Sequence, residues 1–169
     1  MARVNPALAR QNQSLPRFIP YPPIEKLGVI GDRRTAAVVA ADGTICFWCL
    51  PDFSGCPVFG ALLDSKNGGY FRLGPAAALL GEQAYLPETA VLVTRWNGPA
   101  GCLELTDLML HPQTDRLREQ RDRRTILRRL RCVSGTVRCC AALSARPDFA
   151  APARIAAQMI DLDGSGPGM

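Results

Sequence analysis

The chain has 169 residues and a formal charge of +5 at pH 7; 47% of its residues are hydrophobic and 21% are charged. This length suits one domain with its own hydrophobic core, and this composition excludes a disordered or fibrous chain. No apolar run approaches the roughly 20 residues of a membrane-spanning helix, and the first twenty residues lack the apolar stretch of a secretory signal. We therefore expect a cytoplasmic protein whose seven cysteines are reduced.

The chain begins with a segment that shows no sustained periodicity, and we expect residues 1–20 to form a flexible arm. The ordered domain is predicted over residues 21–150. Its first clear element is a β-hairpin: residues 35–41 lead into Asp42-Gly43, and residues 44–50, TICFWCL, form the returning strand. An Asp-Gly pair between two apolar runs is a strong hairpin signal, because both residues tolerate a positive φ.

Two further hairpins are predicted downstream. Residues 90–96 are joined by the loop NGPAG to a strand that begins at Cys102, in which Leu103, Leu105 and Asp107 alternate with their neighbours. The third hairpin joins ILRRLRCV to TVRCCAAL through a Ser-Gly pair. Short strands separated by turn signals predict an all-β fold, an antiparallel β-sandwich.

Two segments depart from this pattern. Residues 115–130 are rich in arginine and suit an exposed helix or a long loop, between which periodicity alone does not choose. Residues 151–169 end in a Gly/Ser/Pro run that cannot carry a strand, so we expect an unstructured or truncated tail. Such an ending would leave a sheet edge uncovered, which natural sheets usually avoid.

The spacing of Cys46 and Cys49 matches half of a zinc or redox motif. On a strand, residues three apart point to opposite faces, so both thiolates could not reach one metal without a bulge. The other cysteines provide no second pair with that spacing. We therefore predict buried thiols, with no metal site and no cofactor.

Two basic features could carry a function. His111, the only histidine, sits beside a proline in a predicted loop, and this favours a solvated side chain over a catalytic one. Residues 115–131 hold eight arginines that could neutralise phosphates, but no aromatic residue on which bases could stack. A solvated charged face is favoured, and a polyanion- or nucleic-acid-binding module that uses the cluster from Arg116 to Arg131 stays open as the alternative.

Glycosidase chemistry needs two carboxyl groups about 5 to 9.5 Å apart. Asp32, Asp52, Asp107 and Asp148 are available, but the sequence places no pair of them at that separation. Asp32 is predicted to cap a turn instead.

Residues 21–64, YPPIEKLGVIGDRRTAAVVAADGTICFWCLPDFSGCPVFGALLD, resemble the opening of the bacterial glucoamylase- and trehalase-like proteins of glycoside hydrolase family 15. Later stretches are similar too: GGYFRLGP, AYLPETAVLVTRW, LELTDLM and the run from Ile126 to Phe149. The resemblance implies a supersandwich-like N-terminal β domain over residues 21–150. It also favours a strand, rather than a helix, from Ile126 onward.

The resemblance places the family's chemistry, hydrolysis of α-glucosidic bonds by two glutamates, in a downstream (α/α)6 barrel. We expect that barrel to be absent here and the sandwich to be incomplete, so no catalytic residue is assigned and this chain alone is expected to be inactive. Its implied role is to support a catalytic barrel, encoded with it or as a separate chain, through which an α-glucoside would be reached. No membrane partner is expected, and nucleic acid is disfavoured.

The loops at the hairpin end are the predicted contact with that barrel or its substrate, and two departures from the family pattern fall in or near them. Cys46 and Ser54 stand where the family has aspartates, and the second change would remove a charge from a loop that reaches toward an active site. The predicted contact residues are Asp32, Arg34, Trp48, Pro51, Asp52 and Phe53.

Overall fold

The computed structural model describes residues 18–111, 124–150 and 154–164. These residues form ten strands and two short 3-10 turns, Ile24–Lys26 and Pro147–Phe149. The strands are β1 Leu27–Gly31, β2 Ala36–Ala40, β3 Thr44–Leu50, β4 Cys56–Phe59, β5 Tyr70–Pro75, β6 Glu82–Tyr85, β7 Leu92–Gly98, β8 Gly101–Met109, β9 Ile126–Ala145 and β10 Arg154–Asp163. Within these ranges, no helix has the length and hydrophobicity needed to cross a membrane.

All strand pairs are antiparallel, and they form two sheets that share β9. The first sheet has the order β1-β2-β3-β5-β9, with β4 added on β3 and β10 on β9, and uses the second half of β9. The second sheet has the order β9-β8-β7-β6 and uses the first half of β9. The predicted all-β, antiparallel, sandwich-like fold is confirmed.

The first two predicted hairpins are present. In the first, Gly43 has a φ of +83° and its N–H donates to Ala40 O at 2.8 Å, which closes the tight turn between β2 and β3. The second joins β7 to β8, with Trp96 opposite Leu103.

The third predicted hairpin is wrong, because β9 is one continuous strand of 20 residues. Gly135, with a φ of +71°, packs tightly against the backbone of Ala100 and marks the point where β9 leaves β8 and passes to β5 and β10. The Ser-Gly pair therefore bends a strand rather than reversing it, since each half of β9 finds its partners in a different sheet. The strand expected from Ile126 is confirmed, whereas residues 112–123 of the arginine-rich segment lie outside the described residues.

Both predicted chain ends need correction where the structure describes them. Residues 154–163 of the expected unstructured tail form β10, which covers the edge of β9 from Thr136 to Ala145. At the other end, Phe18 packs its ring 4.6 Å from that of Tyr70, and the Ile19 N–H donates to the Asp42 carboxylate at 2.8 Å. The sheet therefore already holds residues 18–20, which were assigned to the flexible arm.

The core lies between the two sheets. One cluster gathers Ile30, Val39, Ile45, Leu92 and Met109, and a second gathers Trp96, Leu103, Leu105 and Cys139 around β7, β8 and β9. At the open side of the sandwich, the Tyr85 hydroxyl of β6 both donates to Val29 O and accepts from Val29 N–H, each at 2.8 Å. This contact joins the outermost strands of the two sheets, so that the sandwich is nearly closed into a β-barrel.

A buried ion pair crosses this core. Asp107 is fully buried, and its carboxylate accepts from Arg128 Nε at 2.8 Å and from Arg128 Nη2 at 3.1 Å. The same guanidinium donates to Phe71 O and Gly43 O and lies 4.8 Å from the centre of the Phe71 ring. Arg128 thus ties the second sheet to β5 and to the β2–β3 turn. The prediction of a solvated arginine face is wrong for this residue.

Candidate functional site

Two loops meet at the end of the sandwich where most of the predicted contact residues lie. The turn between β1 and β2 contains Asp32 and Arg34, and the loop between β3 and β4 contains Pro51, Asp52 and Phe53. The Phe53 N–H donates to Arg34 O at 3.2 Å, so the two loops are joined through their backbones. Five of the six predicted residues therefore form one cluster, which we call the loop cluster.

Asp32 organises the first loop from a buried position. Its side chain accepts the N–H groups of Arg34 and Thr35, both at 2.9 Å, which is the turn-capping role predicted for it. The other carboxylate oxygen lies 3.2 Å from Arg124 Nε, and both side chains are almost fully buried. Thr35 in turn donates its hydroxyl to Cys49 O at 2.6 Å and anchors the turn to β3.

Arg124 belongs to this site, although no sequence motif marks it. It belongs to the arginine cluster, which was interpreted as a solvated face, yet it sits beneath the loop cluster at Asp32. The available signal was Asp32 itself: a carboxylate in a turn between two apolar strands needs a cation when it is buried. With Arg124 and Arg128 both buried, two arginines of the proposed polyanion surface face the interior, while Arg116, Arg118, Arg121 and Arg123 lie outside the described residues.

Ser54 holds the second loop in shape. Its N–H and its hydroxyl both donate to the Asp52 carboxylate, at 3.0 and 2.7 Å. These hydrogen bonds from Ser54 lower the pKa of Asp52, which is fully exposed. An aspartate at position 54, the residue of the resembling family, would carry a second negative charge and no hydroxyl proton to donate. Serine at position 54 therefore replaces a negative charge with a hydroxyl that donates to Asp52 and holds it in place.

The loop cluster displays its side chains to solvent. Phe53 is 66% exposed, and Arg34, Pro51 and Asp52 are exposed as well. Gly55, which follows Ser54, closes the loop because its α-carbon lies against the backbone of Leu50, where a larger residue would clash. An exposed aromatic ring flanked by an arginine and an ionised aspartate, held on short loops, is typical of a contact surface.

Trp48, the sixth predicted residue, lies apart from the loop cluster. It sits on β3 opposite Ala37, is half-buried, and stacks on Phe59 with ring centres 6.1 Å apart. Its indole nitrogen is buried and has no hydrogen-bond partner among the described residues. The contacts that the structure gives Trp48 are therefore those of a core residue.

The cysteines of the CFWC stretch are buried, as predicted. Cys46 occupies a β-bulge, since two residues of β3 stand there against one step of β2, and burial raises the pKa of its thiol to about 12. Burial also raises the pKa of Cys49. A thiol protonated at neutral pH is a poor nucleophile and metal ligand. Cys56 departs from the prediction because it is exposed.

Among the described residues, the two carboxylates of the loop cluster are not arranged as an acid-base pair. One carboxylate, Asp32, is committed to a turn and an arginine, and the other, Asp52, is fixed by Ser54 and open to solvent. No group of three or more metal-ligating side chains occurs in the part of the chain that the structure describes. His111 lies just after β8 and is half-buried, and we assign it no role in the loop cluster.

Comparisons with known proteins agree on one domain type. The family model for the trehalase-like N-terminal domain matches residues 20–166. The chain is 35% identical over 142 residues to the trehalase of Mycolicibacterium smegmatis. The aligned region covers 77% of this chain and 21% of that relative. It is 32% identical over 138 residues to the trehalase of Mycobacterium tuberculosis, covering 75% of this chain and 20% of the relative.

A third relative, the trehalase of Thermoplasma volcanium, is 43% identical over 93 residues, which are 53% of this chain and 15% of the relative. No solved structure matches the chain significantly. The chain therefore spans about a fifth of the length of the first curated relatives that it matches.

Proposed function

Because this chain belongs to the trehalase-like N-terminal family, we propose that it is the non-catalytic β domain of an α-glucoside hydrolase of the family 15 type. In this proposal a catalytic (α/α)6 barrel, encoded with the domain or as a separate chain, supplies the acid and base. In this proposal the substrate is trehalose, as the names of the relatives suggest. The protein is also proposed to work in the cytoplasm.

The observation that carries this proposal is the loop cluster. Four side chains of these loops are exposed: Arg34, Pro51, Asp52 and Phe53. Because Asp32 and Ser54 already fix the loop backbones, little conformational entropy is lost when a partner binds. Phe53 supplies a large apolar contact, and the flanking charges supply orientation. The domain thereby lends a rigid surface to the mouth of the barrel.

The first test concerns the chain alone. Purified protein is incubated with trehalose and with maltooligosaccharides, and glucose release is measured against a buffer control. We expect no release above background. Glucose release that a substitution in this chain abolishes would refute the non-catalytic role.

The second test uses a chimera in which residues 20–166 of this chain replace the matching part of the Mycolicibacterium smegmatis trehalase. We expect the chimera to hydrolyse trehalose and Phe53→Ala to reduce kcat/KM by about tenfold, the loss of one well-packed interface aromatic. The matched control is Leu63→Ala, which truncates another exposed apolar side chain outside the loop cluster. Equal effects of the two substitutions would exclude the loop cluster as the contact.

A further inference from the structure

The outer face of the second sheet carries a groove that the proposed contact with the barrel does not use. It has a volume of about 600 Å³ and is open to solvent on one side. Its walls come from β6, β7, β8 and the first half of β9, and its lining includes Tyr85, Arg95, Glu104, Thr106 and Arg129. This size falls in the range of small-molecule sites, which runs from about 300 to 1,000 Å³.

Charged side chains of alternating sign cross this face in register. Glu82 stands opposite Arg95, Arg95 opposite Glu104, and Glu104 opposite Arg131. Arg95 donates to the Glu104 carboxylate, and this ion pair is open to solvent. The two carboxylates and two guanidiniums that line the groove, from Glu82, Glu104, Arg95 and Arg129, sum to a formal charge of zero.

Part of this polar lining is unused within the protein. In residues 18–111, 124–150 and 154–164, the Arg129 guanidinium and the Thr106 hydroxyl have no hydrogen-bond or ion-pair partner, although they stand side by side on β9 and β8. Both groups point into the groove, where they could bind a ligand without breaking an existing contact.

The opposite wall is apolar. Tyr85 is 48% exposed, but its hydroxyl is occupied by both backbone groups of Val29, so its ring and not its oxygen is available. Ala84, Leu86 and Val93 extend this wall. The groove therefore offers an aromatic and aliphatic surface on one side and hydrogen-bonding groups on the other.

From these features we propose that the groove is a second, non-catalytic binding site for a neutral oligosaccharide built of glucosyl units. A sugar ring has apolar C–H faces that suit Tyr85 and Val93, and hydroxyls at its edge that suit Arg129 and Thr106. The zero net charge of the lining disfavours an anion or a cation, because either would meet a like charge as well as an opposite one. The choice of glucosyl units rests on the proposed function; the neutral polyol follows from the groove alone.

The test is a titration of the full-length, 15N-labelled chain with trehalose and with maltotriose, followed by amide shifts and by calorimetry. We expect shifts centred on β6, β7 and β8 around the groove, and a loss of affinity of at least about tenfold in Arg129→Ala and in Thr106→Val. Arg138→Ala, which removes another exposed arginine outside the groove, should leave the affinity unchanged. Circular dichroism confirms that each variant folds.

Three outcomes would overturn the proposal: no saturable binding of either sugar, equal losses in Arg129→Ala and Arg138→Ala, or displacement of the sugar by inorganic phosphate, which would indicate an anion site. The Mycolicibacterium chimera separates this proposal from the proposed function. Arg129→Ala in the chimera should keep trehalose hydrolysis and lose binding at the groove. A chimera that is inactive while the free chain still binds sugar contradicts only the proposed function.

Discussion

The ion pair between Asp107 and Arg128 should make a large contribution to stability that depends on both partners. Removing one partner of a buried pair leaves the other charge uncompensated and costs about 3 to 5 kcal/mol. Asp107→Asn keeps the shape of the side chain but removes its charge, and Arg128→Met keeps the length but removes the charge and the hydrogen bonds to Phe71 O and Gly43 O. We expect each substitution to lower the free energy of unfolding by about 3 kcal/mol or more, a large share of the roughly 5 to 15 kcal/mol of a typical domain.

The assay is urea unfolding followed by tryptophan fluorescence, for which Trp96 in the core is a suitable reporter. With a slope of about 2 kcal/mol per molar urea, a loss of 3 kcal/mol lowers the midpoint by about 1.5 M. The double variant, Asp107→Asn with Arg128→Met, leaves no unpaired charge. We therefore expect its loss to be smaller than the sum of the single losses by about 2 kcal/mol, well above the additivity error of about 0.5 kcal/mol.

A matched control is available on the outer face of the same sheet. Arg95 and Glu104 also form a cross-strand ion pair, but the Arg95 side chain is 53% exposed. Solvent screening limits such pairs to about 0 to 1 kcal/mol, so Arg95→Met and Glu104→Gln should have small effects. Equal losses from the buried and exposed pairs, or additive losses from the two buried substitutions, would refute a stabilising role for the buried pair.

Three further predictions concern the loops, the sheet contact and the thiols. Ser54→Ala removes the hydroxyl that donates to Asp52, so the Asp52 pKa should rise toward its ordinary value in a carboxyl NMR titration; an unchanged pKa would contradict the role of Ser54. Gly28→Ala should lower the free energy of unfolding by about 1 to 3 kcal/mol, because its new methyl group would lie 2.5 Å from a leucine of β7; a stability equal to that of the unmodified chain in urea would refute this overpacking. Iodoacetamide should label exposed Cys56 within the folded protein and buried Cys46 only after unfolding, as read by peptide mass spectrometry, and simultaneous labelling would argue against the burial of Cys46.

The sequence predicted the local hairpins well because their signals are local. Asp42-Gly43 meets the backbone demand of a tight turn, and the structure places the turn there. The Ser134-Gly135 pair carries a similar signal but has a different outcome. Gly43 and Gly135 both have a positive φ. Whether the chain reverses or only bends there depends on which strands pair with the flanking residues.

The buried charges were harder to predict. Asp107 alternates in step with Leu103 and Leu105, so its inward position was readable, but its partner Arg128 lies among arginines that look alike in sequence. Which arginine of such a run faces the core depends on the register of β9 against β8, a nonlocal property. The same limit applies to Trp48, whose side chain is predicted on the loop surface. The bulge at Cys46 shifts which side chains of β3 face inward, and Trp48 packs against the core.

The length of β9 also has a consequence for how the domain opens. The first half of β9 pairs with β8, and its second half pairs with β5 on one edge and with β10 on the other. If β9 separates from one sheet, the other sheet therefore loses a strand as well. The two sheets should therefore open as a single cooperative unit, with amide protons in both halves of β9 exchanging through an opening whose free energy equals that of global unfolding. Since β5 and β9 are paired across some seventy residues of sequence, this unit also sets a high contact order, and folding is expected on the slow timescale of milliseconds to seconds that nonlocal sheets require.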